Sequence, residues 1–264
     1  MTTMTLPAVT RANPSVFTQL TAAALALLFI TLLWSLVDPR LLDDVPVWMK
    51  PAKFSLSFVV HFATLALITA ALSPASRKSR LIGVAGAVMA VAFLTEMAYL
   101  FLQAAQAEHS HFNLSTPFHF MAYQVMGLGA VLLIAMPILV AHVARRETGL
   151  GAGTRAGIWW GALVSFGLTL VVAGYMSNGT GHFVGTPSPG AATIPFLGWS
   201  AEVGDLRPAH FLSLHALQLL PLIGLWADRT GRPARIIPAA ATVYALITFG
   251  VFAQALMGLP LIRL

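Results

Sequence analysis

The stretch from Gly198 to Gln218, reading GWSAEVGDLRPAHFLSLHALQ, places several chemically capable residues close together. An irregular segment with Asp205, Arg207 and Pro208 leads into an apolar run that carries His210, His215 and Gln218. Ionisable side chains inside an apolar span are costly there, so they point to function. Two earlier runs open in the same way. Pro51-Ala-Lys53-Phe54 and Pro117-Phe-His119-Phe120 resemble Pro208-Ala-His210-Phe211, each with proline, a basic residue and phenylalanine.

Depth groups these residues further. At about 1.5 Å per helical residue, His61 falls about 14 Å below Pro51, Gln124 and His215 each about 10 Å below their prolines, and Glu96 about 10 Å below Gln103. Four polar groups from four helices thus share one broad layer, with Lys53, His119 and His210 about one turn or less from the helix mouths. The pairs Ser57/His61 and His215/Gln218, and the set Glu96, Tyr99 and Gln103, are spaced to lie on single helix faces. An unpaired Glu96 in hydrocarbon would be driven neutral, so a metal, an imidazolium or a hydrogen-bonded network is expected beside it. His142 lies beside Arg145 and Arg146 and is read as a residue of the opposite end. His109, His111 and His182 fall in loops, as surface residues, lid contacts or outer metal ligands.

The elements that position this layer follow from composition. Hydrophobic residues make up 58% of the 264 and charged ones only 9%, against about 25% charged in soluble domains. The expected fold is a single all-α domain, a polytopic bundle of seven transmembrane helices. The spans are Val16–Val37, Ala52–Leu72, Leu81–Gln103, Pro117–His142, Ala156–Met176, Pro208–Trp226 and Ile236–Met257, each near the roughly 20 residues needed to cross a bilayer. Residues 1–15 lack the charged start and cleavage site of a signal peptide, so the first helix is expected to stay.

Ten basic residues, Arg11, Arg77, Lys78, Arg80, Arg145, Arg146, Arg155, Arg229, Arg232 and Arg235, flank one side, and five, Arg40, Lys50, Lys53, Arg207 and Arg263, the other. The positive-inside bias puts the N-terminus in the cytoplasm and the C-terminus outside, in a bacterial inner membrane. The net charge of +6 is therefore a topology signal, and no nucleic-acid partner is expected. The outer loop from about 177 to 207 is long, rich in glycine and proline, and carries the apolar insert Thr193-Ile-Pro-Phe-Leu-Gly-Trp199. It is expected to fold back as a lid, with Trp199 inward and Asp205 or Glu202 paired to Arg207 or a histidine. Asn113-Leu-Ser115 and Asn178-Gly-Thr180 match the glycosylation pattern but carry no weight here.

With no cysteine, the chain excludes disulfides, iron–sulfur clusters, covalent haem and a thiol nucleophile. Two chemistries suit the layer. One is haem b held by His61 and His215, with Lys50, Lys53 and Arg207 toward the propionates. The other is iron, copper or zinc held by His61, His215 and Glu96. Haem, iron or copper implies redox chemistry on a lipophilic or periplasmic small molecule, and zinc implies hydrolysis, with His119 and His210 as further cofactor contacts and Glu96, Lys53 and Gln124 as polar catalytic partners. A redox partner protein or a homo-oligomer is compatible with both. A proton-coupled carrier or sensor is the metal-free alternative.

Ser57-Phe-Val-Val-His61 on the second span with Glu96 on the third resembles the seven-helix ceramidase and adiponectin-receptor superfamily. That resemblance covers these three positions and implies zinc-dependent hydrolysis of lipid amides. The last-helix H-x-x-x-H of that superfamily is missing here. The P-x-H-F and GDLRPAHFLSLHALQ strings also resemble those of uncharacterised bacterial polytopic membrane proteins. No lysine on the seventh span, no G-x-S-x-G and no P-loop are present, which removes retinal, serine-hydrolase and nucleotide readings.

Overall fold

A computed structural model describes residues 15–179 and 181–264. Arg11, the start at 1–14 and Thr180, all used above, lie outside the described residues. Seven helices are long and apolar enough to cross a membrane: α1 (Val16–Ser35), α2 (Met49–Ala70), α4 (Arg80–Gln106), α5 (Pro117–Ala144), α6 (Ala152–Ser177), α7 (Arg207–Arg229) and α8 (Ile236–Leu256). A single turn, α3 (Pro74–Arg77), links α2 to α4. Two small hairpins decorate one face of the bundle. β1 (Leu41–Leu42) pairs antiparallel with β2 (Val45–Pro46), and β3 (Phe183–Val184) with β4 (Gly204–Asp205).

Helix starts follow local chemistry. Ser15, Ser73, Ser79 and Thr116 each cap a helix by accepting an N–H from the residue three positions on. Pro117 opens α5 and Pro208 is second in α7, where a missing N–H costs nothing. Two starts differ from the sequence expectation. α2 begins at Met49 rather than Ala52, because Pro51 still falls within the first turn. α6 begins at Ala152 rather than Ala156 for a tertiary reason. Asp228, at the far end of α7, accepts the N–H groups of Gly153 and Thr154 at 2.7 Å each and the Thr154 hydroxyl at 2.6 Å.

The core is aromatic between α2 and α4. Phe58, Phe62 and Phe93 meet with ring centroids 4.9–5.6 Å apart, and Leu65, Met89, Met97 and Leu100 pack around them. α6 and α7 make the closest helix pair. Gly153, Gly157 and Gly161, four apart on α6, let its backbone reach Leu220, Pro221 and Gly224, and a Cβ on Gly224 would collide with the Gly153 carbonyl. The outer surface is strongly apolar, with Phe29, Leu67, Val91, Leu128 and Leu246 all more than half exposed, as a lipid-facing surface requires. This is a multi-pass membrane protein. α2 and α7 are not closely packed by backbone and are joined instead through side chains, among them Gln218 Nε2 donating to Thr64 Oγ1 at 3.1 Å.

Candidate functional site

The seam between α2 and α7 holds the two histidines matched by depth. On α5, Pro137 has no N–H to give the Leu133 carbonyl four residues back. His61, on α2, lies against that carbonyl, and its Nε2 is buried without a partner. On α7, His215 Nδ1 lies 2.7 Å from the Phe211 carbonyl. A carbonyl only accepts, so this nitrogen carries the proton and Nε2 holds the free lone pair in the neutral ring. The His215 ring stacks on Phe211 at 3.9 Å, and Trp199 of the long loop packs edge-on against the same phenylalanine at 5.6 Å. His61 and His215 lie within electrostatic reach of one another, as do His215 and His210. His210, in the first turn of α7, has a buried Nδ1 with no partner.

Glu96 belongs to a different group. It is only 4% exposed on α4, and its Oε1 lies 3.7 Å from His111 Nε2, leaving Oε2 buried and unpaired. His111 comes from the α4–α5 connection. It is held by Ser110 Oγ at 3.1 Å and by the rings of Phe54 and Tyr123. Burial, reinforced by Lys50 and His210 nearby, holds the His111 imidazole well below its usual range and hence neutral. By sequence His111 is one of the loop histidines. The signal available was its place six residues before the aromatic-rich start of α5 at Pro117. The turn that carries it inward, with Phe112 at φ 58°, leaves no mark in the residue pattern.

His119 joins neither group. Its Nδ1 meets Tyr99 Oη at 3.0 Å and Gln103 Nε2 at 3.5 Å, and its Nε2 lies 3.5 Å from Glu108. Glu96, Tyr99 and Gln103 are all buried, yet they serve two sets of partners. Gln124 and Ser57 both stand on exposed sides of their helices. The layer is therefore not one cluster. Among the described residues no three of His, Asp and Glu converge as a metal-holding group, so His61 and His215 are not joined there by Glu96.

The cations at the mouth hold the loop. Thr193 and Ser200 bridge, Gly198 N–H returns to the Ile194 carbonyl, and the apex so formed presents two carbonyls. Lys53 Nζ donates to Leu197 O at 3.1 Å and Arg207 to Gly198 O at 2.6 Å. Arg207 is itself fixed by a bidentate pair with buried Asp205, whose second task is to accept Ser200 N–H at 2.9 Å. Glu202, the other acid expected to pair there, accepts from Ser188 instead. His182 lies beneath, pushed down to about 4 by burial first and then by Arg207, Lys50 and Lys53, with Asp205 pulling the other way. The three P-x-basic-F starts thus give their basic residues three jobs. Lys53 clamps a loop, His119 joins two helices, and His210 is left with an unsatisfied buried nitrogen.

Buried imidazoles that give one N–H to a backbone carbonyl and keep the other nitrogen unpaired have the arrangement of metal-ligating histidine, where such a bond fixes tautomer and ring orientation. No protein-family model, curated protein or solved structure matches this chain.

Proposed function

We propose that His61 and His215 form a two-imidazole site for a redox centre, either haem b iron or a bare iron or copper ion, in a multi-pass protein of a bacterial inner membrane. The observation that carries this reading is that His215 Nδ1 donates to the Phe211 carbonyl while His61 lies against the Leu133 carbonyl with its Nε2 buried and without a partner. Such a centre supplies one-electron chemistry when bound. The chain contributes the rest. Pro137 frees the carbonyl that orients His61, Phe211 and Trp199 hold the His215 ring, and the loop clamped by Lys53 and Arg207 limits water. Glu96 and His111 stand apart as a carboxyl–imidazole pair able to pass a proton toward His210. The substrate or partner in this reading is a lipophilic or periplasmic molecule.

The excess of basic residues on the face opposite the long loop puts that face in the cytoplasm, with the N-terminus inside and the C-terminus outside. Reporter fusions at Lys78 and at Glu108 are expected on opposite sides of the membrane.

Purified protein tests the centre directly. A Soret band indicates haem, and stoichiometric iron or copper without one indicates a bare ion. Zinc would favour the lipid-amide hydrolase that the Ser57, His61 and Glu96 pattern resembles. Metal-free protein that stays folded and keeps full activity would overturn the reading. It would favour a proton-coupled carrier or sensor, for which the run of Glu96, His111, His210 and His215, each in electrostatic reach of the next, is the supporting observation.

A further inference from the structure

α7 turns a histidine toward the bilayer. Phe211, His215, Leu222 and Trp226 follow at i, i+4, i+11 and i+15, so they form one stripe along the helix. Phe211 is 41%, Leu222 60% and Trp226 51% exposed, and half-buried His215 stands among them on this lipid-facing side. α2 shows the matching edge. Leu56, Val60 and Leu67 form its exposed apolar stripe, and Ser57, also exposed, stands beside Val60.

Ser57 shares a face with Lys53 and Thr64, the two residues of α2 that tie it to α7. Lys53 reaches Leu197 O of the clamped loop at the outer end, and Thr64 meets Gln218 further in. Among the described residues no other hydrogen bond joins α2 to α7 or to that loop. From residue 53 to 64 the helix rises about 16 Å, and over this interval the two backbones are not closely packed. Ser57 and His215 therefore border an edge that is tied above and below and exposed to lipid between.

Two polar groups on this edge have no answer from the protein. Ser57 Oγ makes no hydrogen bond among the described residues. His215 Nε2 keeps its lone pair, because Nδ1 donates to Phe211 O. Hydrocarbon offers neither donor nor acceptor, so polar groups facing it call for a ligand that brings one. An apolar body suits Leu56, Val60 and Phe211. A hydroxyl or carbonyl head suits Ser57, whose hydroxyl both donates and accepts.

We propose that the α2–α7 seam is entered sideways from the bilayer and takes an apolar molecule whose hydroxyl or carbonyl head is held by Ser57 Oγ beside His215. The substrate of the two-imidazole centre is then dissolved in the membrane. That assignment rests on the His61–His215 reading, whereas the route itself is tested without the centre.

The test uses the full-length protein in nanodiscs. The chain has no cysteine, so Ser57→Cys supplies a single thiol for a nitroxide label. Relaxation of that label by oxygen should exceed relaxation by a water-soluble nickel chelate, as at the lipid-facing control Leu67→Cys and opposite to Ala192→Cys in the outer loop. Titration with para-decylphenol should raise the melting temperature saturably, and decylbenzene, which lacks the hydroxyl, should not. Ser57→Ala should weaken the phenol's binding about fivefold, the scale of one hydrogen bond in hydrocarbon. Relaxation dominated by the nickel chelate, no phenol-specific rise, or binding that Ser57→Ala leaves unchanged each overturns the proposal. Adding His61→Ala to Ser57→Cys removes the centre and should leave the oxygen reading as it was. Metal-free purified protein with an intact phenol response thus sinks the centre alone, and metal-loaded protein without that response sinks the route alone.

Discussion

His61 lies against the Leu133 carbonyl that Pro137 leaves without a helical N–H. A helix defect on α5 thereby becomes the orienting contact for a histidine on α2. The same link makes a proline far from the α2–α7 seam part of the histidine's geometry.

Pro137→Ala restores the N–H that competes for Leu133. Retention of a bound metal or haem is expected to fall by about 10-fold, the lower end for loss of an orienting partner, while the fold is kept. Absorbance or elemental analysis of the purified variant reads this, and unchanged retention would show that the carbonyl does not orient the ring. His61→Ala and His215→Ala should abolish retention altogether. His142→Ala, near Trp159 at the other end of the bundle, should not.

Glu96→Ala should lower stability by about 1–3 kcal/mol, because it strips His111 of its buried partner. Glu96→Gln keeps a polar contact and should cost less. Melting temperatures in one detergent rank the two, and equal loss would mean that His111 does not depend on this contact.

Asp205→Asn is expected to release the long loop. It breaks a buried pair with Arg207, at a cost of about 3 kcal/mol, and weakens the Ser200 turn. Limited proteolysis should then cut between 185 and 199 in the variant before the wild type. Glu202→Gln, which loses only an exposed contact to Ser188, should leave the cutting rate unchanged.

His182 gives the loop a pH dependence with a defined sign. Its folded value is depressed to about 4 from an ordinary 6.5, so the unfolded chain takes up the proton first. Its contribution is fully present above about pH 6.5 and is lost as the pH falls from there toward 4. The melting temperature of His182→Asn should therefore fall less steeply than that of the wild type across this window. Parallel slopes would remove His182 as the cause.

Apolar length and helix-start chemistry were enough to read seven spanning helices from the residues, since a bilayer demands about 20 apolar residues and Ser, Thr and Pro mark helix starts by local hydrogen bonding. The expected depth of His61 and His215 rests in the same way on rise per residue alone. Which polar groups meet was not. Depth says how far in a side chain lies but not where its helix turns it. Gln124 shares the layer yet stands on an exposed side, and Glu96 turns to a loop histidine. The four-residue extension of α6 likewise needed Asp228 from α7, and the free carbonyl that His61 meets needed a proline on α5. Local hydrogen bonds are written in the sequence, whereas partners brought from other helices exist only once the bundle has packed.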